Sequence, residues 1–333
     1  MNYFYKTAES YKCDSFTLPQ KYYIDSTILK MEIENIFSKS WLYCGRCDDV
    51  SEQGEYKIVE IGNESIIILR NIDGMINAFY NVCRHRGTRI CTKEFGKFSN
   101  TIQCPYHGWT YDLKGNLHRA PNMEAVSDFI KEDYPLHSVN LIEWEGYIFI
   151  NFSDESADFH LEYAPVIDLF SAWDMKYLKT IDTKYYHANC NWKLIIQNYS
   201  ECYHCPLIHP SLSNMTPYTG GMNDMISGPF LGGYMEMNVE SITKDGKLCG
   251  PLLENSSDKN LSRVYYYTLF PNILLSIHPD YVMIHTVWPE GPETCSINCR
   301  WLFSKKVEGS TNYNPRNAIN FWDKTNLEDW DIC

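Results

Sequence analysis

Long apolar runs are missing from this sequence of 333 residues. The longest pieces are short, such as SIIIL (65–69) and YIFI (147–150), and fall well below the roughly 18 residues that a membrane-spanning helix needs. Positive charge is also scarce. Lys and Arg number 29 against 42 Asp and Glu, a formal net charge of −13, which excludes a sequence-independent grip on nucleic acid or anionic lipid, because both depend on clustered cations. The same acidic surplus leaves room for a cationic substrate. The first residues, MNYFYKTAESYK, lack the uninterrupted apolar stretch of an export signal, so a cytoplasmic protein is expected. There is no internal repeat, no low-complexity linker and no glycine-rich nicotinamide or flavin fingerprint.

Cysteine, by contrast, is plentiful. The count is 13, an odd number in a long chain without an export signal, which favours metal ligation or buried thiols over disulfides. With 44% hydrophobic and 21% charged residues, the chain has the composition of a globular protein long enough for two cores.

Three stretches differ in texture. Residues 1–37 contain a helical segment, with Ser26 or Thr27 as its cap and Ile28, Met31, Ile33, Ile36 and Phe37 near helical spacing. Residues 38–155 break into short alternating runs punctuated by glycine, including EYKIVEIG, ESIIILRN, MINAFYNV and GYIFINF, and predict an all-β domain. Residues 156–333 hold longer elements: a helix in LEYAPVIDLFSAW, a strand leading into a helix in YYHANCNWKLIIQNYSECYH, a hairpin-rich sheet from RVYYYTLF to CRWLFSKK, and a closing helix in NAINFWDKTNLEDWDIC. The predicted fold class is α+β, an antiparallel sheet with helices following an all-β domain.

Two constellations carry chemistry. In the β domain, CRHRG (83–87) and CPYHGW (104–109) give Cys-x-His, eighteen intervening residues, then Cys-x-x-His. Two Cys and two His can hold tetrahedral zinc. Zinc fingers, however, usually pair Cys with Cys and His with His along the chain, whereas each loop here offers one of each. That pattern suits a 2Fe-2S cluster with both thiolates of Cys83 and Cys104 on one iron and both imidazoles of His85 and His107 on the other. Neutral imidazoles remove negative charge and raise the potential, which makes a relay rather than a strong reductant. Gly87 and Gly108 fit a close loop approach and Pro105 stiffens the second loop. The CxxC at Cys44 and Cys47 has no second half-site, and Cys91, Cys190, Cys249, Cys295 and Cys299 show no ligand spacing; all read as small hydrophobes.

The second constellation is ECYHCPLIHP (201–210). Glu201 and His204 lie three apart, one turn on a helix that Pro206 should end, which lets His209 return to the same point. Two imidazoles plus one distant carboxylate make a facial triad for non-haem Fe(II), with coordination positions left for dioxygen and substrate. The helix NLEDWDIC offers Glu328, Asp329 and Asp331, and spacing alone does not choose among them.

Together, the paired CxH and CxxH loops, the order NWK, N, E-x-YH, H, and the late ED resemble the catalytic (alpha) subunit of the Rieske non-haem iron oxygenases along the whole chain. That resemblance implies a Rieske domain followed by a helix-grip, START-like catalytic domain. It further implies Asp329 as the third iron ligand beside His204 and His209, and Glu201 as a bridge to a Rieske histidine of the neighbouring subunit, in a head-to-tail homotrimer. Asn198 falls at the family's helix position near that bridge. Glutamate at the bridge, and the stretch YTLFPNILLSIHPDYVM (267–283), are similar to the branch of carnitine, choline and glycine betaine oxygenases. Monooxygenation of an amine-bearing substrate is therefore the favoured expectation, with N-demethylation or C–N cleavage to follow; ring dihydroxylation is the alternative. An aromatic content of 15% could furnish a cation-π cage for such a substrate; Tyr199, Tyr203, His278 and Trp288 are conceivable pocket residues, each read first as structural. Electrons would come from a separate reductase, with or without a ferredoxin. A scaffold with two structural zinc sites is the rival from outside enzymology. A pure electron-transfer protein would leave ECYHCPLIHP and Asp329 without a purpose.

Overall fold

The computed structural model describes residues 16–123, 125–224, 226–253, 258–308 and 310–333; the opening MNYFYKTAESYK lies outside them. The chain divides into two compact units, Phe37–Ser156 and the segment ending at Ile36 together with Ala157–Cys333.

In the unit Phe37–Ser156, ten strands form three small antiparallel sheets. Strands β1 (Leu42–Arg46), β10 (Tyr147–Asn151) and β9 (Asn140–Trp144) pair in that order; β4 (Ile76–Tyr80), β3 (Glu64–Arg70), β2 (Glu55–Ile61) and β5 (Phe95–Lys97) make the second sheet; β6 (Thr101–Gln103), β7 (Thr110–Asp112) and β8 (Leu117–Arg119) make the third. β3 reads as a continuous apolar run because it is covered on both faces, with Ile66 to Leu69 all 0% exposed. Ile67, Leu69, Ile102, Trp109 and Tyr111 share a core with Cys83 and Cys104, so the two cysteine loops rest on packed side chains. Cys44 is buried in β1, and Cys47 Sγ lies 3.2 Å from Glu143 Oε2. Burial pushes both thiols up to about 12, which keeps them protonated and unreactive at neutral pH.

The other unit is built on one seven-stranded antiparallel sheet, in the order β11 (Leu178–Ala188), β17 (Thr294–Ser304), β16 (Tyr281–Gly291), β15 (Ile273–Ile277), β14 (Arg263–Leu269), β13 (Phe230–Glu236) and β12 (Gly221–Asn223). The helix Arg316–Ile332 buries Ala318, Ile319, Trp322, Thr325 and Asn326, a stripe at helical spacing. Its apolar members join Met283, Trp301 and Phe303 of the sheet in one core. Trp322 Nε1 donates to Tyr281 Oη at 2.6 Å, and that hydroxyl donates to the Ile242 carbonyl at 2.6 Å, which fixes the rotation of the helix on β16.

The early helix Ser26–Glu32 is capped by Asp25, whose carboxylate accepts from Thr27 N at 2.7 Å. The expected cap, Ser26 or Thr27, is displaced because a carboxylate one residue earlier both accepts the free N–H and complements the positive end of the helix. At the other end Glu32, 9% exposed, accepts from Trp192 Nε1 at 2.9 Å and Lys193 Nζ at 2.6 Å, tying this helix to the element that leads into the site. Glu32→Ala strips a buried indole N–H and a half-buried ammonium of their acceptor. Its expected cost is about 2–4 kcal/mol, read as a lower urea midpoint in tryptophan fluorescence.

Candidate metal centres

The two cysteine loops of the β unit are copies of one turn. In the first, Gly87 N donates to Cys83 O at 3.0 Å and Cys83 N to Thr88 O at 2.8 Å; in the second, Gly108 N donates to Cys104 O at 3.1 Å and Cys104 N to Trp109 O at 2.8 Å. Gly87 and Gly108 have φ of +69° and +71°. Among the described residues beyond its two chain neighbours, no heavy atom lies within 4 Å of a Cβ built on Gly87, so backbone conformation, rather than crowding, demands glycine there. Each turn sends a thiol inward and an imidazole outward. Cys83 and Cys104 are 3% and 2% exposed and their side chains lie within hydrogen-bonding reach of one another. The rings of His85 and His107 are 4.7 Å apart, and His85 stacks on Trp109 at 4.9 Å. His85 Nδ1 is buried with no partner among the described residues. Two thiols, two adjacent imidazoles and an orphaned ring nitrogen fit an iron-sulfur group held at four points. Sequence reasoning missed Tyr111. Its hydroxyl accepts from Arg84 N at 3.1 Å and lies 3.3 Å from Cys83 Sγ, where it would donate to a thiolate.

In the other unit, the helix Trp192–Tyr199 starts on Asn191, whose side chain accepts from Lys193 N at 3.0 Å. It stops at Tyr199, earlier than expected. The spacing predicts Glu201 and His204 on one continuing helix ended by Pro206; instead the chain turns at 201–204, and Pro206 sits in the first turn of a new helix, Cys205–Ile208. Proline is tolerated there because its missing N–H falls where no intrahelical partner exists. His204 and His209 flank this single turn, which brings their rings to 5.4 Å. Glu201 still reaches His204 Nδ1, at 2.5 Å, and its second oxygen accepts from Tyr203 N.

One expectation about cysteine fails here. Cys202 and Cys205 form a disulfide, because the turn, closed by Cys205 N on Cys202 O at 3.2 Å, places their Cα atoms 5.1 Å apart.

Asp329, from the helix Arg316–Ile332, completes the cluster. Its Oδ1 lies 2.7 Å from His209 Nε2 and 3.4 Å from His204 Nε2. Ligand atoms of His204, His209 and Asp329 all fall within 4.8 Å of one another. Of the three carboxylates offered by the helix, Glu328 takes a different part: its Oε2 holds His209 Nδ1 at 2.7 Å. Each histidine thus has Nδ1 on a glutamate, which favours a proton on that nitrogen and leaves Nε2 as the atom turned to the common point. Two imidazoles and one carboxylate in this arrangement fit a divalent iron with open positions. Asn198 lies within hydrogen-bonding reach of Asp329.

The cluster opens into a cavity lined by Tyr199, Tyr266, Trp322 and Trp330 among aromatics, with Met235, Met283, Leu212 and His285. Tyr203, His278 and Trp288 are not among its lining residues; Tyr203 is 67% exposed, and His278 is buried against Tyr281.

Residues 40–131 match the model of the Rieske [2Fe-2S] domain, and residues 175–333 match that of the ring hydroxylating alpha subunit catalytic domain. The glycine betaine monooxygenase oxygenase subunit of Pseudomonas aeruginosa is 28% identical over 350 aligned positions, covering 95% of this chain and 80% of that protein. The carnitine monooxygenase oxygenase subunit of Escherichia coli is 36% identical over 211 positions, covering 60% of this chain and 54% of that protein. Among solved structures, the quaternary ammonium Rieske monooxygenase CntA superposes with a TM-score of 0.80 at 25% identity, over 96% of this chain and 83% of that one; its structure is described as giving insight into carnitine oxidation and inter-subunit electron transfer.

Burial opposes charge on His204, but its hydrogen bonds to Asp329 and Glu201 outweigh burial and hold it up at about 9. His209 is raised in the same sense by Asp329 and Glu328. His204 is therefore protonated at neutral pH, and a metal must displace that proton to be held there. Fe(II) uptake is therefore expected to strengthen about tenfold per pH unit for each proton displaced as pH rises from 6.5 toward about 9, and to level off above. Anaerobic titration with Fe(II) or Co(II) across that range checks it.

Proposed function

The chain belongs to the Rieske non-haem iron oxygenases, and from that premise we propose that it uses dioxygen and externally supplied electrons to oxygenate a small amine-bearing compound. A quaternary ammonium substrate is favoured, with hydroxylation of a carbon beside nitrogen and loss of that carbon by N-demethylation or C–N cleavage. The observation that carries this reading is the convergence of His204, His209 and Asp329 on one wall of a cavity whose other lining is aromatic and thioether. Tyr199, Tyr266, Trp322 and Trp330 offer π faces to a cation, and Glu201 and Asp329 add negative charge from the same cavity. The relatives named for glycine betaine and carnitine support it over ring dihydroxylation.

Cys83, Cys104, His85 and His107 would hold the 2Fe-2S cluster, and His204, His209 and Asp329 the mononuclear iron. When bound, the two groups supply single electrons and dioxygen activation respectively. The chain's own residues set the conditions. Glu328 and Glu201 hold Nδ1 of His209 and His204, so that Nε2 is the atom each would offer to the metal once its proton is displaced. Tyr111 donates toward Cys83 Sγ and draws charge from the thiolate. The aromatic lining excludes water and orients the substrate carbon toward the ligand cluster.

Glu201 would also bridge to a Rieske histidine of a neighbouring subunit. Its side chain is 36% exposed, and the exposed ring of His107 is a suitable donor. This reading implies a head-to-tail trimer and a separate reductase, with or without a ferredoxin; the inter-subunit transfer described for CntA supports a path between subunits.

His204→Ala tests the catalytic assignment. The brown cluster spectrum should persist, iron should fall from about three to about two per chain, and product from a quaternary amine panel should disappear; continued product formation overturns the assignment. Tyr111→Phe removes one hydrogen bond to a cluster sulfur and should lower the reduction potential by some tens of millivolts while the cluster stays bound, as protein-film voltammetry would show.

A further inference from the structure

His285 lies on β16, 2% exposed, and lines the cavity beside the metal ligands. A chain of hydrogen bonds fixes which of its nitrogens carries the proton. Tyr186 Oη donates to Asp323 Oδ1 at 2.7 Å, so its oxygen can only accept from Asn326 Nδ2, at 3.4 Å. Cys299 Sγ, 3.7 Å from the same Nδ2, agrees with that amide orientation. Asn326 Oδ1 is thereby turned to His285 Nε2, at 3.1 Å, and an acceptor there requires Nε2–H. Nδ1 is left with a lone pair. It is buried with no partner among the described residues, and so is the indole Nε1–H of Trp330, whose ring meets that of His285 edge to face at 6.0 Å. Two residues of one cavity wall, His285 and Trp330, therefore hold an unused acceptor and an unused donor just beneath its surface. Burial holds His285 down at about 4 although Asn326 and Asp329 pull the other way, so the ring is neutral at working pH.

A hydroxyl matches this pair: it donates to Nδ1 and accepts from the indole N–H. A carboxylate accepts from the indole but meets the Nδ1 lone pair with lone pairs of its own. It also shares the cavity with Glu201 and Asp329, and the described lining residues include no Lys or Arg. We propose that His285 and Trp330 form a hydroxyl-recognition pair, which selects a quaternary amine bearing a neutral hydroxyl over one bearing a carboxylate. This rests on the amine-oxygenase reading above.

The test is calorimetric binding to iron-loaded protein under nitrogen, with three probes that share a trimethylammonium group: choline (hydroxyl), glycine betaine (carboxylate) and ethyltrimethylammonium (neither). Choline should bind about tenfold more tightly than the other two, the worth of one hydrogen bond to a buried partner. His285→Phe should bring choline to the level of ethyltrimethylammonium, and His285→Gln, which restores an acceptor, should recover most of the difference. The wild-type ranking needs no variant to fold. Glycine betaine binding as tightly as choline, or a choline preference that survives His285→Phe, overturns the pair. Equal binding and turnover of all three probes overturns it alone, whereas binding of none overturns it together with the amine reading.

Discussion

Asp329 meeting two imidazoles at once is the contact on which the catalytic unit depends. The carboxylate is 17% exposed; without its partners it would sit largely desolvated, a cost of several kcal/mol. Against that burial, the histidines and Asn198 draw its pKa down to about 2. The helix that delivers it is set by packing: Thr325 and Asn326 end the buried stripe, and Asp329 follows them by one turn on the same face. The hydrophobic seat of the helix and the position of the ligand are therefore one geometric fact. The neighbouring Glu328, off that stripe, is left to hold His209 from behind and to pair with Lys324 at 3.4 Å.

The β unit solves its problem by repetition. Two turns with the same hydrogen bonds and the same left-handed glycine put sulfur toward the core and imidazole toward the outside. Sulfur ligands thus stand in a low-dielectric floor made by Leu69, Ile102, Trp109 and Tyr111, while His107 reaches solvent. On the inner side the Tyr111 hydroxyl stands 3.3 Å from Cys83 Sγ; the outer side is imidazole.

Legibility in the sequence followed the range of the interactions. The spacing of Cys83, His85, Cys104 and His107 marked the cluster loops because those residues act within two local turns. The alternating runs marked the strands for the same reason. His204 and His209 were visible as a pair, but the path between them was not: a helix end at Tyr199 and a proline at the start of a new turn look, in one dimension, like a single broken helix. The Cys202–Cys205 disulfide was hidden because its spacing is shared by many thiols that never pair, and only the turn decides. Choosing Asp329 over Glu328 and Asp331 needed a resemblance, since three acids on one helix end differ only in rotation about its axis. Asn326, Tyr186 and His285 carried no sequence signal at all, because a tautomer fixed through three strand and helix elements exists only once the sheet has formed.

That the donors stand 120 residues apart, from His209 to Asp329, gives any ion seated between them leverage beyond its own coordination sphere. It staples the loop after Tyr199 to the far edge of the closing helix. Its occupancy is then coupled to the integrity of the whole sheet by mass action. Scarcity of iron would show first as lowered heat resistance and easier proteolysis of this unit.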